Sequence, residues 1–418
     1  MEAPDDLLEL TIGAPAAGGG CVARAPDGRV VFVRHALPGE RVRAGVSGET
    51  TSFLRADAVE VIDPSPDRVE RPCPYAGPGA CGGCDYQHVR LGAQRELKAA
   101  LVAEQLRHLA GIDLVVVVEE VAGGTDGLGW RTRVRFAVDR SGRLGFRKHR
   151  SHDLQLVDHC LLATPQVEAV GAEALRWPGA SEVEIFASPQ DAQRVVTVHS
   201  TRRQQSRLPD VDAGVVLDGR TAKRPPRLHV KVLGRSFQVS SGSFWQVHPA
   251  APATLATAVI EGLEPQPGER VLDLYAGVGL FSALVGVAVG PEGAVLAVER
   301  DERACVDAEH NVADLEHVEV ARANVTPEYL SELGYGPDLV VLDPARDGAG
   351  RGVTAWLASW RPPPRRLAYV ACDPASFARD LKVLLDAGWS MRSLRAFDLF
   401  PMTEHVELVA VLEPHGSR

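Results

Sequence analysis

The strongest constraint on the fold is a regular alternation of apolar strands and helix-like segments, which runs from Pro249 towards the carboxyl terminus. Strand-like segments such as RVLDLY, AVLAVE, DLVVLDP and RLAYVAC alternate with helix-like segments such as PATLATAVIEGL and SFARDLKVLLDAG. This pattern predicts a doubly wound, mostly parallel sheet of about seven strands. Ligands of such sheets bind beyond the carboxyl ends of the strands, so the residues that follow each strand are the first candidates for a functional site.

The rest of the chain is organised differently. Residues 1–62 contain short strand-like segments broken by Gly and Pro, which is typical of a small β-barrel. Residues 63–240 contain a Pro-, Gly- and Cys-rich segment, one amphipathic helix over residues 91–109, and alternating strand patterns such as RVRFAV and RLHVKVLG. We therefore predict a multi-domain protein with an N-terminal small β-barrel (1–62), a β-rich central domain (63–240) and a C-terminal α/β doubly wound domain (241–418).

Composition and charge indicate the compartment and one partner. The amino-terminal stretch MEAPDDLLEL is acidic and lacks the features of a signal peptide, and no apolar run approaches the ~20 residues of a membrane span, so we expect a cytoplasmic protein with no membrane partner. The net charge is −10, but residues 131–150 carry eight Arg or Lys and residues 202–235 carry nine. These basic stretches, the first with Phe136 and Phe146 interleaved, favour a surface that neutralises an RNA backbone.

The segment DLYAGVGLFS, residues 273–282, resembles a nucleoside-cofactor loop. Gly277 and Gly279 allow a sharp turn before a helix, and Glu299 at the end of the next strand is placed to accept hydrogen bonds from a ribose diol. A dinucleotide such as NAD fits less well than S-adenosylmethionine, because Ser282 replaces the third Gly or Ala and the acidic Asp273 would repel phosphates. A glycine turn without a ligand is the remaining interpretation.

Three further strand ends carry polar groups: Asn324 follows VEVARA, Asp343 follows VVL, and Cys372 follows RLAYVA. A cysteine at such a place is by default a small buried hydrophobe. If the substrate is a uracil ring, however, addition of a thiolate to carbon 6 makes carbon 5 nucleophilic enough to accept a methyl group. That adduct needs a general base to remove the proton at carbon 5, and Glu404, His405 and Glu407 are candidates between which the strand period does not choose.

Five motifs in order, FWQVHP, DLYAGVGLFS, DPARDG, YVACDPASFARDL and FPMTEHVELVAVL, resemble those of the S-adenosylmethionine-dependent RNA 5-methyluridine methyltransferases. The resemblance implies a class I methyltransferase domain at the carboxyl terminus and a TRAM-like RNA-binding barrel over residues 1–62. Because carbon 6 of a paired or stacked uridine can be reached only when the base is flipped out, we expect the substrate in a loop of ribosomal or transfer RNA, and we expect a monomer. The same resemblance assigns Cys372 as the nucleophile, Glu407 as the base, and the following residues to the cofactor and target base: Gln246, Tyr275, Gly277, Gly279, Glu299, Asn324 and Asp343.

The chain departs from the family pattern at four places. Ala371 and Asp373 flank the cysteine where the family has Ser and Asn, His248 stands for an Asn, and Leu280 stands for another Asn in the glycine loop. A carboxylate next to a thiol raises the pKa of that thiol, so Asp373 would slow thiolate formation. These departures leave a non-catalytic RNA-binding protein with the same fold as an alternative.

Four other cysteines predict a metal site. Cys73, Cys81 and Cys84 have C-x7-C-x2-C spacing, and Cys160 follows far along the chain. Four thiolates can hold zinc or an iron–sulfur cluster, and the spacing does not decide between them. The family resemblance favours a [4Fe–4S] cluster, although the family usually has two fewer residues between its first and second cysteine than this chain has between Cys73 and Cys81. We expect the two remaining cysteines, Cys21 and Cys305, to be core residues.

Overall fold

A computed structural model describes residues 7–122, 126–201, 205–334 and 336–415. Near the amino terminus six strands form one sheet in the order β1-β5-β6-β4-β3-β2. Every strand except the short β2 contributes side chains to a single apolar core, as in a small barrel. The strands are β1 Leu7–Thr11, β2 Pro15–Ala16, β3 Gly20–Arg24, β4 Val30–Arg34, β5 Arg41–Glu49 and β6 Phe53–Asp63.

The middle of the chain begins with loops over residues 64–90, which contain the three closely spaced cysteines. Helix α1, Leu91–Gln105, then continues as a π-helical turn, Leu106–Ala110, and leads to strand β7, Val118–Glu120. A seven-stranded sheet follows in the order β10-β9-β8-β11-β12-β13-β14, and a separate hairpin pairs β15 with β16. Their bounds, with helix α2, are β8 Arg133–Val138, β9 Leu144–Arg147, β10 Leu154–Leu156, α2 Pro165–Glu168, β11 Ala180–Ala187, β12 Arg194–Ser200, β13 Gly214–Leu217, β14 Arg220–Lys223, β15 Arg227–Val232 and β16 Arg235–Ser240.

The carboxyl-terminal part is the α/β domain, whose sheet has eight strands in the order β19-β18-β17-β20-β21-β23-β22-β7. Its strands are β17 Arg270–Leu274, β18 Ala294–Glu299, β19 Val318–Arg322, β20 Leu339–Leu342, β21 Arg366–Ala371, β22 Trp389–Asp398 and β23 Glu407–Pro414. Its helices are α3 Ala251–Leu263, α4 Leu280–Val289, α5 Glu302–Asn311, α6 Pro327–Glu332, α7 Gly350–Ser359 and α8 Pro374–Asp386. The doubly wound, mostly parallel sheet expected from the sequence is confirmed, with β7 as an additional edge strand.

Alternation along each strand divides the core of this domain into two layers. Val341 and Val370 belong to the layer formed with α3 and α4, whereas Leu342 and Tyr369 belong to the layer formed with α7 and α8. Helices cover both faces of the sheet, which is why β20 and β21 are almost entirely apolar and buried.

Helix α1, strand β7 and the β15–β16 hairpin, all from the middle of the chain, pack onto this domain. Side chains of α1 and β7 join the layer formed with α7 and α8, and the β15–β16 hairpin joins the opposite layer. The division at residues 63–240 and 241–418 remains a prediction, since the core of the α/β domain draws on both sides of that boundary. None of the helices in the described part of the chain is long and apolar enough to cross a membrane.

The first basic stretch, residues 131–150, is partly internal. This corrects the expectation that Phe136 and Phe146 both lie on an RNA-binding surface there. Phe136 is fully buried and stacks on the half-buried Phe146 with ring centroids 4.9 Å apart, so the ring of Phe136 is not available for stacking on a base. Arg133 and Arg135 of the same stretch pair with the buried carboxylate of Glu184. Residues 202–204 of the second stretch lie outside the described residues.

A buried ion pair joins α1 to the end of β22. Lys98 is fully buried, and its Nζ lies 2.6 Å from Oδ1 of Asp398 and donates to the carbonyl oxygen of Phe400 at 3.0 Å. Removal of one partner of a buried pair leaves the other charge without compensation, which is more costly than removal of both. This pair therefore fixes the position of the chain that leads into β23.

We expect Lys98→Met to lower the free energy of unfolding by about 3–5 kcal/mol, because Asp398 is then buried without its cation. The double variant Lys98→Met, Asp398→Leu should recover most of that loss. Urea denaturation followed by tryptophan fluorescence measures both. Lys382→Met, which removes an exposed pair with Asp386, is the control and should change stability little. A Lys98→Met protein as stable as the wild type would contradict this account.

Candidate active site

The candidate residues meet at one edge of the C-terminal sheet because of its strand register. Leu342 of β20 pairs with Tyr369 of β21, and Ala371 of β21 pairs with Leu408 of the antiparallel β23. Continued by one residue, this register sets Cys372 opposite Glu407. The carboxyl ends of the parallel strands and the beginning of β23 therefore lie together.

The alternation of side chains directs these residues to the same face. Val370 and Val409 are register partners, and both belong to the layer formed with α3 and α4. Side chains two residues apart on a strand share a face, so Cys372 and Glu407 follow the same side as these valines. Asp343, two residues after Val341 of that layer, does the same.

The contacts of the three candidate bases separate them. Glu404 is engaged elsewhere, since its Oε2 accepts hydrogen bonds from the backbone N–H groups of Gly18 and Gly19 at 2.5 and 2.6 Å. His405 lies with Nε2 3.2 Å from Nη2 of Arg346, and burial together with that guanidinium lowers its pKa to about 4. Glu407 is buried, and burial followed by the nearby Asp343 raises its pKa well above the ordinary value. Glu407 is thus the candidate next to the thiol.

The thiol of Cys372 has a strongly raised pKa. Burial is the largest cause, followed by the carboxylates of Glu407 and Asp343, and together they raise the pKa to about 12. The neighbour Asp373 raises the pKa of Cys372 too, but less than these effects. Its carboxylate is the N-cap of α8 and accepts from the backbone N–H of Ser376 at 2.7 Å. Asp and Asn are equivalent in that position, so this departure from the family pattern has a local structural role.

Arg346 is a site residue that the sequence analysis missed. It lowers the pKa of both Cys372 and Glu407, opposing the surrounding carboxylates. Its position three residues after Asp343 in DPARDG was the available signal. Only the fold shows that this exposed arginine lies near the thiol. Its neighbours Cys372, His405 and Glu407 come from the end of β21 and the beginning of β23, which are distant from it in sequence.

The glycine loop has the conformation that its sequence predicts. Gly277 and Gly279 have φ angles of 56° and 82°, in the left-handed region that favours glycine, and α4 begins immediately after them. Glu299 at the end of β18 accepts hydrogen bonds from the N–H groups of Gly277 at 2.9 Å and Asp301 at 2.7 Å. The oxygen bonded to Asp301, Oε1, also accepts from the N–H of Arg300 at 2.7 Å, whereas Oε2 accepts from Gly277 and keeps a second lone pair. Oε2 of Glu299 can therefore hold the loop and still accept from a ligand hydroxyl.

Asp273 gives this edge of the sheet an unsatisfied acceptor. It is fully buried, its Oδ2 accepts from Oγ of Ser282 at 2.5 Å, and its Oδ1 has no hydrogen-bond partner among the described residues. Burial raises the pKa of Asp273 to about 7, and burial together with Asp273 raises the pKa of Asp343 to about 7. A buried and a half-buried carboxyl with so little compensating charge nearby favour a cationic ligand.

The remaining predicted ligand residues take different positions. Gln246 is buried in the loop between β16 and α3, while Asn324 is exposed after β19. Tyr275 has φ of 64°, which turns its ring into the layer formed with α7 and α8. The departures His248 and Leu280 are both buried, and neither faces solvent at the site.

Asp307 of α5 is another residue that the sequence analysis did not single out. It is fully buried, and its carboxylate accepts hydrogen bonds from Gln238, from both the N–H and the hydroxyl of Ser240, and from Ser243. One turn later, Asn311 donates to the carbonyl oxygen of Val278 in the glycine loop at 2.9 Å. Helix α5 therefore fixes the cofactor loop and the loop that carries Gln246 relative to each other.

The four predicted metal ligands line one cavity of about 30 Å³, together with Arg131 and Gln87. None of Cys73, Cys81, Cys84 and Cys160 forms a disulfide in the described chain. Burial raises the pKa of Cys84 to about 12, although Arg131 opposes that effect. Among the described residues, no three His, Cys, Asp or Glu side chains are arranged so that they could hold a metal ion as they stand. Cys21 and Cys305 are buried core residues, as expected.

Comparison with known proteins agrees with this architecture. A TRAM domain model matches residues 7–59, and a protein-L-isoaspartate(D-aspartate) O-methyltransferase model matches residues 242–326. An uncharacterized RNA methyltransferase of Streptomyces coelicolor is 48% identical over 97% of this chain and 92% of its own length. The 23S rRNA (uracil(1939)-C(5))-methyltransferase of Halomonas elongata is 34% identical over 98% of this chain and 90% of its own length.

A solved structure shares the whole fold. The Pyrococcus abyssi tRNA (uracil-54, C5)-methyltransferase, in complex with S-adenosyl-L-homocysteine, aligns with a TM-score of 0.72 at 21% identity. The alignment covers 97% of this chain and 99% of that one. At this identity the likeness concerns the arrangement of the three parts of the chain rather than the substrate.

We expect alkylation of Cys372 by iodoacetamide to be slow at pH 8 and to accelerate up to the highest pH at which the protein remains folded. The reason is that only the thiolate reacts and burial with two carboxylates disfavours it. In Glu407→Gln the loss of one carboxylate lowers the pKa of Cys372, so the rate at a given pH should rise. Mass spectrometry of the peptide that contains Cys372 gives the rate. A profile that reaches its plateau below pH 8, or no acceleration in the variant, would contradict this electrostatic account.

Proposed function

This chain belongs to the family of RNA methyltransferases that includes the 23S rRNA uracil-C5 enzymes, and we propose that it methylates carbon 5 of a uridine in 23S rRNA through a covalent adduct with Cys372. The observation that carries the proposal is the register of β21 and β23, which sets the thiol opposite a buried carboxyl group. A nucleophile and a base on one face can act on adjacent atoms of one flat ring.

Cys372 is the proposed nucleophile. Its Sγ adds to carbon 6 of the uracil, and the electrons of the carbon 5–carbon 6 double bond then make carbon 5 nucleophilic. Because the pKa of the thiol is raised, its proton must pass to water as the substrate binds, which leaves Glu407 free to accept the later proton from carbon 5. Arg346 supports this step because its positive charge favours the thiolate.

Glu407 is the proposed base. After carbon 5 has gained the methyl group, its proton has to be removed before the sulfur can leave carbon 6 and the double bond can form again. The raised pKa of Glu407 makes it a stronger base than an exposed carboxylate. Glu404 is a weaker candidate, because its carboxylate is already bonded to Gly18 and Gly19.

S-adenosylmethionine is the methyl donor of this fold, and it supplies an electrophilic methyl group on a positively charged sulfonium. The residues of this chain suit it: Glu299 accepts from hydroxyl groups, and the glycine loop permits close backbone approach. The buried carboxyl of Asp273 and the half-buried carboxyl of Asp343 favour a cation beside them. Gln246, Tyr275 and Asn324 complete the proposed cofactor and target-base residues.

The choice of 23S rRNA over transfer RNA rests on sequence identity over almost the full chain. The relative with the ribosomal substrate is 34% identical, whereas the structure with the transfer RNA substrate is 21% identical and shares the fold. A uridine in a paired or stacked segment must leave its stack to reach Cys372, so we expect the target in a loop or bulge. We also propose that the protein acts as a monomer in the cytoplasm.

We further propose that Cys73, Cys81, Cys84 and Cys160 bind a [4Fe–4S] cluster, with zinc as the alternative. All four line one cavity and are free thiols. Four cysteine thiolates are the usual ligand set of a [4Fe–4S] cluster. Such a group would order a segment with little secondary structure of its own.

We expect Cys372→Ala to abolish transfer of the labelled methyl group to ribosomal RNA, because no thiol remains to add to carbon 6. Glu407→Gln should slow turnover by about 10²- to 10⁴-fold and accumulate protein bound covalently to methylated RNA. A band that survives a denaturing gel measures this adduct.

The control for both variants is Cys21→Ser, which changes a buried cysteine in the barrel core and should leave the methylated position unchanged. Normal uridine labelling by Cys372→Ala would overturn the mechanism. Mass spectrometry of ribosomal and transfer RNA from a deletion strain identifies the substrate, and loss of methyluridine only from transfer RNA would overturn the ribosomal assignment.

Anaerobically purified protein should be brown, with a broad absorbance shoulder in the visible range and about four iron atoms per chain. Cys81→Ser should lose iron and destabilise residues 64–90, whereas Cys21→Ser should keep the metal content because Cys21 lies in the barrel core. Elemental analysis distinguishes iron from zinc. Preparations that contain neither metal, and melt at the same temperature as Cys81→Ser, would contradict a metal site.

A further inference from the structure

The loop that precedes the base-bearing strand contacts the N-terminal barrel directly. Glu404 lies three residues before Glu407, and its Oε2 accepts from the backbone N–H groups of both Gly18 and Gly19 in the turn between β2 and β3. Two charge-assisted hydrogen bonds to one oxygen are stronger than neutral ones. They join parts of the chain that are separated by 386 and 385 residues.

A second set of contacts holds the same loop from the segment that follows Cys84. The N–H of Glu404 donates to Oδ2 of Asp85 at 3.2 Å, while Oδ1 of Asp85 accepts from Nη2 of Arg34 in β4 at 3.2 Å. The N–H groups of Asp85 and Tyr86 donate to the carbonyl oxygen of Met402 at 2.9 and 3.0 Å. The barrel is therefore tied to the loop both directly and through Asp85.

The packing at this junction leaves little room for adjustment. A Cβ atom at Gly19, where φ is 71°, would lie 2.6 Å from side-chain atoms of Asp85. Glu404 is half-buried, and burial followed by Asp85 raises its pKa while the two glycine N–H groups oppose this effect. The negative charge of Glu404 is thus stabilised by the N–H groups of Gly18 and Gly19 in the barrel turn.

The contact ends close to the reacting groups. His405 follows Glu404 and lies against Arg346, which faces Cys372, and Glu407 begins β23 two residues later. No other hydrogen bond from the barrel to residues 403–407 is seen in the described chain. A change in the position of the barrel turn would reach Glu407 through this short stretch of backbone.

From these contacts we infer that Glu404 is a positioning residue, through which the docked barrel holds Glu407 at the right place to remove the proton from carbon 5. The barrel then serves as part of the active site as well as a surface for RNA. This inference rests on the proposed function, since it takes Glu407 as the base and a covalent adduct as the intermediate. It assigns Glu404 no contact with the substrate.

The inference predicts which step fails when the contact is lost. A base displaced by about 1 Å can cost about 10²-fold in rate, and here the loss falls on release of the adduct rather than on its formation. A contact that served only to hold RNA would raise KM for RNA without any accumulation of adduct. A contact that served only folding would weaken binding of S-adenosylmethionine as well.

The test uses full-length Glu404→Ala with labelled S-adenosylmethionine and an unmethylated 23S rRNA transcript. At saturating RNA we expect turnover to fall by about 10- to 100-fold, with accumulation of the covalent protein–RNA complex and an unchanged Kd for S-adenosylmethionine. Glu404→Gln should restore most of the turnover, because its carbonyl oxygen can accept from both glycine N–H groups. If the alanine variant does not fold, Glu404→Asp, which withdraws the oxygen from the turn, should show the same accumulation.

The matched control is Glu60→Ala, which removes a barrel carboxylate that pairs with exposed Arg43 and should behave as the wild type. Wild-type turnover in Glu404→Ala, slow turnover without adduct, or a glutamine variant no better than alanine would each overturn the inference. Failure of the proposed function is distinguishable, since Glu407→Gln would then trap no adduct. If Glu407→Gln traps the adduct and Glu404→Ala does not, the positioning role alone is wrong.

Discussion

The site depends on three carboxyl groups, two buried and one half-buried, at one edge of a parallel sheet. Asp273, Asp343 and Glu407 lie there with raised pKa values, beside a thiol whose pKa is raised by the same surroundings. Arg346 is the cation that opposes them at the thiol. Such an arrangement is costly in an empty site and becomes favourable when a cationic ligand enters. The fold that packs the sheet between two helical layers therefore leaves negative charge at this edge, which favours binding of the positively charged sulfonium of a methyl donor.

The C-terminal domain does not build this site alone. Its sheet is extended by β7, its two core layers include α1 and the β15–β16 hairpin, and the loop before β23 is held by the N-terminal barrel. The buried pair of Lys98 and Asp398 holds the end of β22, where the chain leads towards β23. Because so many contacts converge on the chain between β22 and β23, the position of Glu407 reflects the arrangement of the whole protein.

The departures from the family pattern acquire local explanations in the fold. Asp373 caps α8, so its carboxylate is compensated by a backbone N–H and adds less to the pKa of Cys372 than Glu407 or Asp343 does. Leu280 packs in the core as the first residue of α4. Neither change removes a group that the proposed chemistry needs, which weakens the interpretation of the chain as a binding protein without activity.

The sequence by itself determined the doubly wound domain, the glycine loop with Glu299, and the family, because strand and helix periodicities and short motifs are local properties. Strand periodicity could not choose between Glu404, His405 and Glu407, because it does not say which residue faces a cysteine far away in the chain, and only the resemblance to the family selected Glu407. Continued by one residue, the register of β21 with β23 sets Glu407 opposite Cys372, which supports its proposal as the base. The roles of Arg346 and Asp307, the burial of Phe136, and the contact of Glu404 with the barrel were also decided by tertiary structure, because each depends on residues that only folding brings together.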